Sequence, residues 1–254
     1  MSGPGRMITM KTAEDFRKME VAGRVVAEVL DAVREKAAPG VTTRELDAIA
    51  ERIIRDHDCT PSFLGYHGFP GSICASPNSM IVHGIPGDYR LRPGDVLSID
   101  AGAIYEGWHG DAARTWAIGE VPDEVQQLIE TTAACLDAGI AQTMAGKRLG
   151  DIGHAIQTLA ESNGFSVVRE YIGHGIGRQM HESPQVPNYG APGKGLKLKT
   201  GMAICIEPML NIGGHETVTL DDNWSVVTAD GSLSAHFEDT IGLTPDGPRV
   251  FTRP

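Results

Sequence analysis

Apolar positions along this chain follow a helical period and then an extended one, and that alternation occurs twice. From Thr12 to Lys36, the residues Phe16, Met19, Val26, Leu30 and Val33 fall on one helical stripe that ends at Pro39-Gly40. Thr42 followed by Glu45 is a capping-box signature, and Leu46, Ile49 and Ile53 continue at helical spacing to about His57. After Pro122, the residues Val125, Leu128, Ile129, Leu136 and Ile140 repeat the pattern to about Gly146, and Ile152, Ala155 and Leu159 follow between Asp151 and Asn163. Each helical pair leads into short apolar runs with strand character.

Two of those runs match. Leu91-Arg-Pro-Gly-Asp-Val-Leu-Ser-Ile-Asp100 and Leu198-Lys-Thr-Gly-Met-Ala-Ile-Cys-Ile-Glu207 share the leucine, the basic residue, the glycine, the apolar run and a terminal carboxylate at one constant offset. His83-Gly84-Ile85 also recurs as His174-Gly175-Ile176. The expectation is an α/β (α+β) chain with one domain over residues 12–254. It is built from two pseudo-repeat halves, about 12–118 and 119–244, preceded by a disordered tail over residues 1–11.

Composition narrows the function. A chain of 254 residues with 41% hydrophobic content buries a substantial core. No apolar run reaches the ~20 residues that span a bilayer, and the start lacks a signal-peptide pattern, so a cytoplasmic location is expected. The four cysteines show no metal-knuckle spacing and are expected to be reduced and buried. A net charge of -11 argues against nucleic acid as a partner.

Five residues carry candidate chemistry. Asp100 and Asp111 flank a segment whose Glu106-Gly107 turn reads as a β-hairpin, bringing both acids side by side. Glu207 closes the matching strand, Glu238 lies in the alternating segment 233–243, and His174 stands between glycines that permit close approach. Any single acid at a strand end is more often a turn or cap residue than a ligand. What singles out these five is their joint occurrence in a duplicated frame. Four carboxylates and an imidazole form a hard donor set suited to Mn, Fe(II), Co or Zn, and such close acids stay ionised together only around about two divalent cations. His109 reads as a structural histidine near a turn, and His57, His154 and His215 as surface or packing residues.

Beyond these five, the chain resembles the type I methionine aminopeptidases, members of the pita-bread metallopeptidase family. The resemblance rests on Asn78 with Val82-His83-Gly-Ile-Pro86, Ser98-Ile-Asp100 with Gly110-Asp111, Gly173-His-Gly-Ile-Gly177, His181-Glu182 with Pro184-Gln-Val186, Ile206-Glu-Pro208 and Ser234-Ala-His-Phe-Glu238. It implies a pita-bread fold: duplicated halves of paired helices around a curved, mainly antiparallel sheet with a central dinuclear metal site. By the same resemblance Asp111 and Glu238 bridge two metal ions, Asp100 completes one, and His174 and Glu207 complete the other. A bridging hydroxide would attack the scissile carbonyl, with Glu207 as proton acceptor and His83 and His181 contacting substrate. Phe63, Tyr66, Phe69, Cys74, Met180 and Trp224 would line the methionine pocket; without the resemblance, core packing is the simpler reading of those six. A monovalent cation near Asn78 and Ser234 is also implied.

The implied activity is removal of the initiator methionine from nascent chains and peptides, with a small second residue preferred. A transient ribosome contact, no membrane or nucleic-acid partner, and a monomeric state complete the expectation. Phe63, Phe69 and Ser79 depart from common family residues without touching a candidate ligand. Two rival readings fit the residues less well. An X-Pro peptidase usually carries a large additional N-terminal domain, and only a short segment precedes the first helix here. A non-enzymatic binding module of the same fold typically loses ligands, and this sequence keeps all five.

Overall fold

The computed structural model describes residues 8–253. Four helices form where the periodicity places them: α1 (Ala13–Lys36), α2 (Thr43–Asp56), α3 (Asp123–Ala141) and α4 (Leu149–Ser162). Thr12 and Thr42 both close reciprocal capping boxes, with Asp15 and Glu45 as the returning acids, so each helix start satisfies its own orphan N–H groups. In chain order the strands are β1 (Thr60–Pro61), β2 (Ile73–Pro77), β3 (Met80–Val82), β4 (Val96–Tyr105), β5 (Trp108–Ala117), β6 (Ser166–Val167), β7 (Gly173–Gly175) and β8 (Glu182–Val186). There follow β9 (Ala203–Ile206), β10 (Met209–Asn211), β11 (Thr217–Thr219), β12 (Val226–Thr228), β13 (Ser234–His236), β14 (Asp239–Thr244) and β15 (Gly247–Val250).

The two halves repeat main-chain contacts as well as elements. Gly40 N donates to Leu91 O at 2.8 Å and Leu91 N to Val41 O at 2.9 Å; in the second half Gly146 N donates to Leu198 O at 3.0 Å and Leu198 N to Lys147 O at 2.8 Å. In the first half β4 runs antiparallel between β5 and the pair β1 and β2; in the second, β9 runs between β14 and β7. The halves join where β5 meets β14, through a bridge in which Glu238 N donates to Ala113 O at 2.9 Å. Thr240 Oγ1 adds to that seam, donating to Asp111 O at 2.8 Å and accepting from Asp111 N at 3.0 Å.

Strand alternation decides which side chains enter the core. On β4, Leu97, Ile99, Ala101 and Ala103 pack with Val26, Val29, Leu30 and Val33 of α1 and Leu46, Ala50 and Ile54 of α2. Successive strand residues point to opposite faces, so Ser98, Asp100 and Gly102 turn away from the helices. In the second half Ile204 and Ile206 of β9 pack with Leu128 and Leu136 of α3 and Ile152 and Ile156 of α4. Helix α1 approaches the hairpin at Gly110 and the C-terminal segment at Gly23, each lacking a Cβ where the neighbour's backbone comes close. A Cβ on Gly110 would lie 2.7 Å from Gly23 N, and one on Gly23 would overlap Phe251 O.

Three sequence expectations change. Within the expected tail, Lys11 is packed, 7% exposed with its N–H donating to Gly201 O at 2.7 Å, while Thr9 and Met10 are exposed. The rest of that tail, residues 1–7, lies outside the described residues. Segment 233–243 is two strands rather than one, since β13 pairs with β10 while β14 pairs with β9 and β15. The break at Phe237-Glu238 is what turns Glu238 toward Ala113. His83 and His174 are not structural counterparts: His174 lies on β7, which sits beside β9 as β2 sits beside β4, whereas His83 follows β3 at a positive φ of 62°. Among the described residues no helix is long and apolar enough to cross a membrane.

Candidate active site

The β4–β5 hairpin closes through Glu106 and Gly107, with φ of 47° and 79°. Positive φ at both positions is the two-residue turn whose twist matches the strands it joins. The register pairs Gly102 with Asp111 and Asp100 with Ala113, so Asp100 and Asp111 lie diagonally on the face opposite the helical core. Glu207 directly follows β9, and Glu238 occupies the break between β13 and β14. His174 projects from β7, and its flanking glycines serve strand packing: a Cβ on Gly173 would overlap Cys205 O and one on Gly175 would overlap Ser183 O.

His174 Nε2 lies 3.8 Å from Asp111 Oδ2, 3.8 Å from Glu207 Oε1 and 3.9 Å from Glu238 Oε1. These separations are too long for hydrogen bonds and are those of donors arranged around a shared centre. All five candidates are buried. Burial, then the charge of Glu238 and Asp100, pushes the Asp111 carboxyl well above its ordinary value, and burial followed by neighbouring carboxylates does the same to Glu207 and Glu238. Burial pushes Asp100 up to about 7. His174 is pushed down to about 3, mainly by burial, so it is a neutral donor without positive charge to offer the acids.

A buried carboxylate nearby shows the contrast. Asp239 is fully buried, yet Arg114 and Arg253 both pair with it, at 2.6 and 2.7 Å, and the Thr252 hydroxyl donates to it at 2.7 Å. The four site carboxyls have no such cation, and Asp100 Oδ1, Asp111 Oδ1 and Glu238 Oε1 have no hydrogen-bond partner. Unpaired buried acids are costly, and two divalent ions would neutralise four of them. The donor set therefore fits divalent metal. Asp111, His174, Cys205 and Glu238 present donor atoms within 4.8 Å of one another, as do Glu207, His236 and Glu238. Cys205 is a poor member: burial, then Glu238 and Asp111, keeps its thiol protonated, and Sγ lies 3.5 Å from Thr240 Oγ1.

A single cavity of about 290 Å³ is lined by all five of these residues, by His83 and His181, and by Phe63, Tyr66, Phe69, Cys74, Met180 and Trp224. Every site residue expected from the sequence meets there. The six apolar residues pack as one cluster, with Phe69 and Trp224 edge-to-face at 5.1 Å between ring centroids. Tyr66 Oη is 2.8 Å from His181 Nδ1, and the His181 ring lies 4.3 Å from that of His174. His83 stands edge-on to Tyr171 at 5.6 Å and is pushed down to about 4 by burial and then by His181.

Asn78 and Ser234 are also neighbours, Ser234 N donating to Asn78 O at 3.0 Å, but the Asn78 side chain is taken up by Tyr89, Asp95 and Val96 N. His109 is not among the residues lining this cavity, and its Nδ1 lies 3.0 Å from Ser62 Oγ. The residue that the sequence reading passed over is His236. It is 1% exposed, its Nε2 has no partner, and that atom lies 3.8 Å from Glu207 Oε2. Its place two residues before Glu238 was the available signal.

Comparison with known proteins identifies the family and the overall fold. The profile of metallopeptidase family M24 matches residues 17–245. The methionine aminopeptidase of Clostridium perfringens is 49% identical, over 97% of this chain and 99% of its own. Methionine aminopeptidase 1 of Mycobacterium tuberculosis is 51% identical, over 97% and 96%. The crystal structure of methionine aminopeptidase from Rickettsia prowazekii superposes with a TM-score of 0.95 at 46% identity, covering 97% of this chain and all of that one. Prolidase from Pyrococcus furiosus superposes at 0.76 with 21% identity, covering 97% of this chain and 66% of its own, a likeness of fold alone.

Proposed function

The chain belongs to metallopeptidase family M24 and is a metal-dependent aminopeptidase with the pita-bread fold; we propose that it releases N-terminal methionine from peptides through the division of labour that follows. The observation that carries this reading is the single cavity in which an apolar, sulfur-containing pocket adjoins four buried acids and four histidines, His67, His83, His174 and His181. An unbranched thioether side chain suits aromatic and sulfur walls, and Met180, Phe69 and Trp224 supply them.

Asp111 and Glu238 would be shared between two divalent ions, Asp100 would complete one, and His174 and Glu207 the other. In support, His174 approaches Asp111, Glu207 and Glu238, and Asp100 belongs to neither donor cluster. Bound ions would supply Lewis acidity toward the scissile carbonyl and a water acidic enough to attack near neutral pH. Glu207, a carboxylate beside the ions, would take the water proton and deliver it to the leaving amine nitrogen. Tyr66 Oη lies 2.8 Å from His181 Nδ1; in the tautomer where the hydroxyl donates to Nδ1, His181 would offer Nε2–H to the developing oxyanion. His83, neutral by burial and lining the same cavity, would help orient the substrate carbonyl.

The finer assignments belong to the same reading: Mn, Fe(II), Co or Zn as the ion, and a small second residue in the substrate. Main-chain oxygens near Asn78 and Ser234 would hold a monovalent cation, since the Asn78 amide is already bonded. Nascent chains as substrates, transient ribosome contact and a cytoplasmic monomer also follow; co-sedimentation with ribosomes and a native mass measurement test the last two.

The deciding experiment measures free methionine released from Met-Ala-Ser and from a Met-Pro peptide. Metal-stripped protein is re-supplied with each ion separately, and an Ala-Pro peptide serves as control. Metal-dependent release from the Met-led peptides alone is expected. Cleavage of the Ala-Pro control would move the chain to the proline-specific branch, and silence with every ion would leave a binding module.

A further inference from the structure

Met180 and His181 reach the cavity from the loop joining β7 to β8, which starts at the buried Ile176, whose N donates to Ala203 O at 3.2 Å, and lays Arg178 over the Trp108 ring at 4.7 Å. Gly177 N donates to Gln179 O at 3.1 Å, and His109 N donates to Gly177 O at 2.9 Å. The loop is fastened from behind by Glu182. Its Oε1 accepts from Gln179 N at 3.2 Å, while Oε2 accepts from Lys11 Nζ at 2.7 Å and from the Thr9 hydroxyl. Lys11 Nζ also donates to Thr9 O at 3.1 Å and to Thr9 Oγ1 at 2.7 Å, so all three ammonium protons have acceptors.

Lysine is almost never fully buried unless paired, yet this side chain is 1% exposed and its partner carboxylate 10%. Burial would raise the Glu182 carboxyl, but hydrogen bonds from Lys11 and Thr9 and the Lys11 charge outweigh it and hold the group below its ordinary value. Packing is equally close: a Cβ on Gly177 would stand 2.6 Å from Glu182 Oε1 and 2.8 Å from Lys11 Cε. The polar partners of the Lys11 side chain are Thr9 and Glu182, with none among the candidate metal ligands.

We propose that Lys11 and Glu182 are positioning residues: residues 8–11 form a strap whose buried ion pair fixes the loop 176–181, setting His181 against His174 and Tyr66 and Met180 against the side-chain pocket. The inference rests on the roles of His181 and Met180 proposed above. It gives the strap a place in the reaction without contact to substrate or metal. Removing the lysine leaves the Glu182 carboxylate buried with its main partner gone, and the loop is the element free to move in response.

The test compares wild type, Lys11→Met, Glu182→Gln and the double variant by turnover, metal titration calorimetry and amide hydrogen exchange. A loop displaced by about 1 Å costs up to roughly 10²-fold in rate, so Lys11→Met is expected to lower kcat/KM by about tenfold to 10²-fold, raising KM as well as lowering kcat. Metal affinity should stay at the wild-type value. Amides of residues 177–182 should exchange faster while those of the β4–β5 hairpin keep their protection. The double variant, with charge balance restored, should recover much of the loss. If Lys11→Met fails to fold, Glu182→Gln carries the same comparison with its shape retained. Unchanged loop exchange, or equal acceleration across the whole chain, overturns the proposal. Unchanged kcat/KM in a folded variant does the same. Should wild type release no methionine, the functional reading fails by itself and the exchange comparison still decides whether the strap holds the loop.

Discussion

Substituting Asp100 by asparagine should make the metal-free protein more stable while strongly weakening its response to metal. The Asp100 carboxyl is buried, its Oδ1 has no partner, and burial raises it from 3.8 to about 7. A carboxyl raised in the folded state contributes stability that is present below its unfolded value and lost as pH rises through its folded value. At 1.36 kcal/mol per unit, the penalty from this group grows between about pH 4 and pH 7 and levels off at roughly 4 kcal/mol. Asparagine carries no such penalty. At pH 8 in a chelator, Asp100→Asn should therefore exceed wild type by up to roughly 4 kcal/mol, and at 2–4 °C per kcal/mol this is a rise of about 8–16 °C in Tm. Near pH 4 the two should converge. The buried histidines, which titrate with the opposite sign, are common to both proteins and drop out of the difference. Relief of Glu207, Glu238 and Asp111, each of which feels the Asp100 charge, acts in the same direction. Scanning calorimetry across pH 4.5–8 measures the difference directly. Excess Mn should then stabilise wild type, by about 2.7 kcal/mol at a hundredfold excess over Kd, and the variant far less. A variant less stable than wild type at pH 8 without metal, or a difference independent of pH, would refute the view that these acids are uncompensated until metal binds.

Asp111→Asn should lose bound metal and activity together, measured by elemental analysis beside peptide turnover; retained activity would remove it from the shared position. His83→Ala is expected to lower kcat by roughly 10²-fold, typical of a single oxyanion or proton-transfer group, with metal content near that of wild type. Met180→Ala should cut kcat/KM for Met-led peptides by about tenfold or more without changing metal affinity, and an equal effect on an Ala-led peptide would argue against a side-chain pocket. Gly110→Ala tests the α1–hairpin approach: its Cβ would lie 2.7 Å from Gly23 N, and a loss of about 1–3 kcal/mol should appear in denaturant melts.

The sequence by itself determined the elements and the chemical inventory. Capping boxes at Thr12 and Thr42, the 3.6-residue stripes of α1 to α4 and the Glu106-Gly107 turn are local physics, written within a few residues of where they act. The hairpin register likewise follows from its turn, which is why Asp100 and Asp111 were legible as neighbours. What only the tertiary structure decided depends on contacts distant in sequence. The seam between β5 and β14 brings Glu238 to Ala113, and a break in an apparently continuous apolar alternation makes it possible. Periodicity cannot reveal such a break, because both strands are buried and read alike. The short repeat of His83-Gly84-Ile85 suggested a symmetry that the strand pairing does not follow, since three residues carry too little information to fix a register. His236 gained meaning only beside Glu207, and Lys11 only beside Glu182, because a polar group's burial and partner are set by the assembled fold and not by its neighbours in the chain.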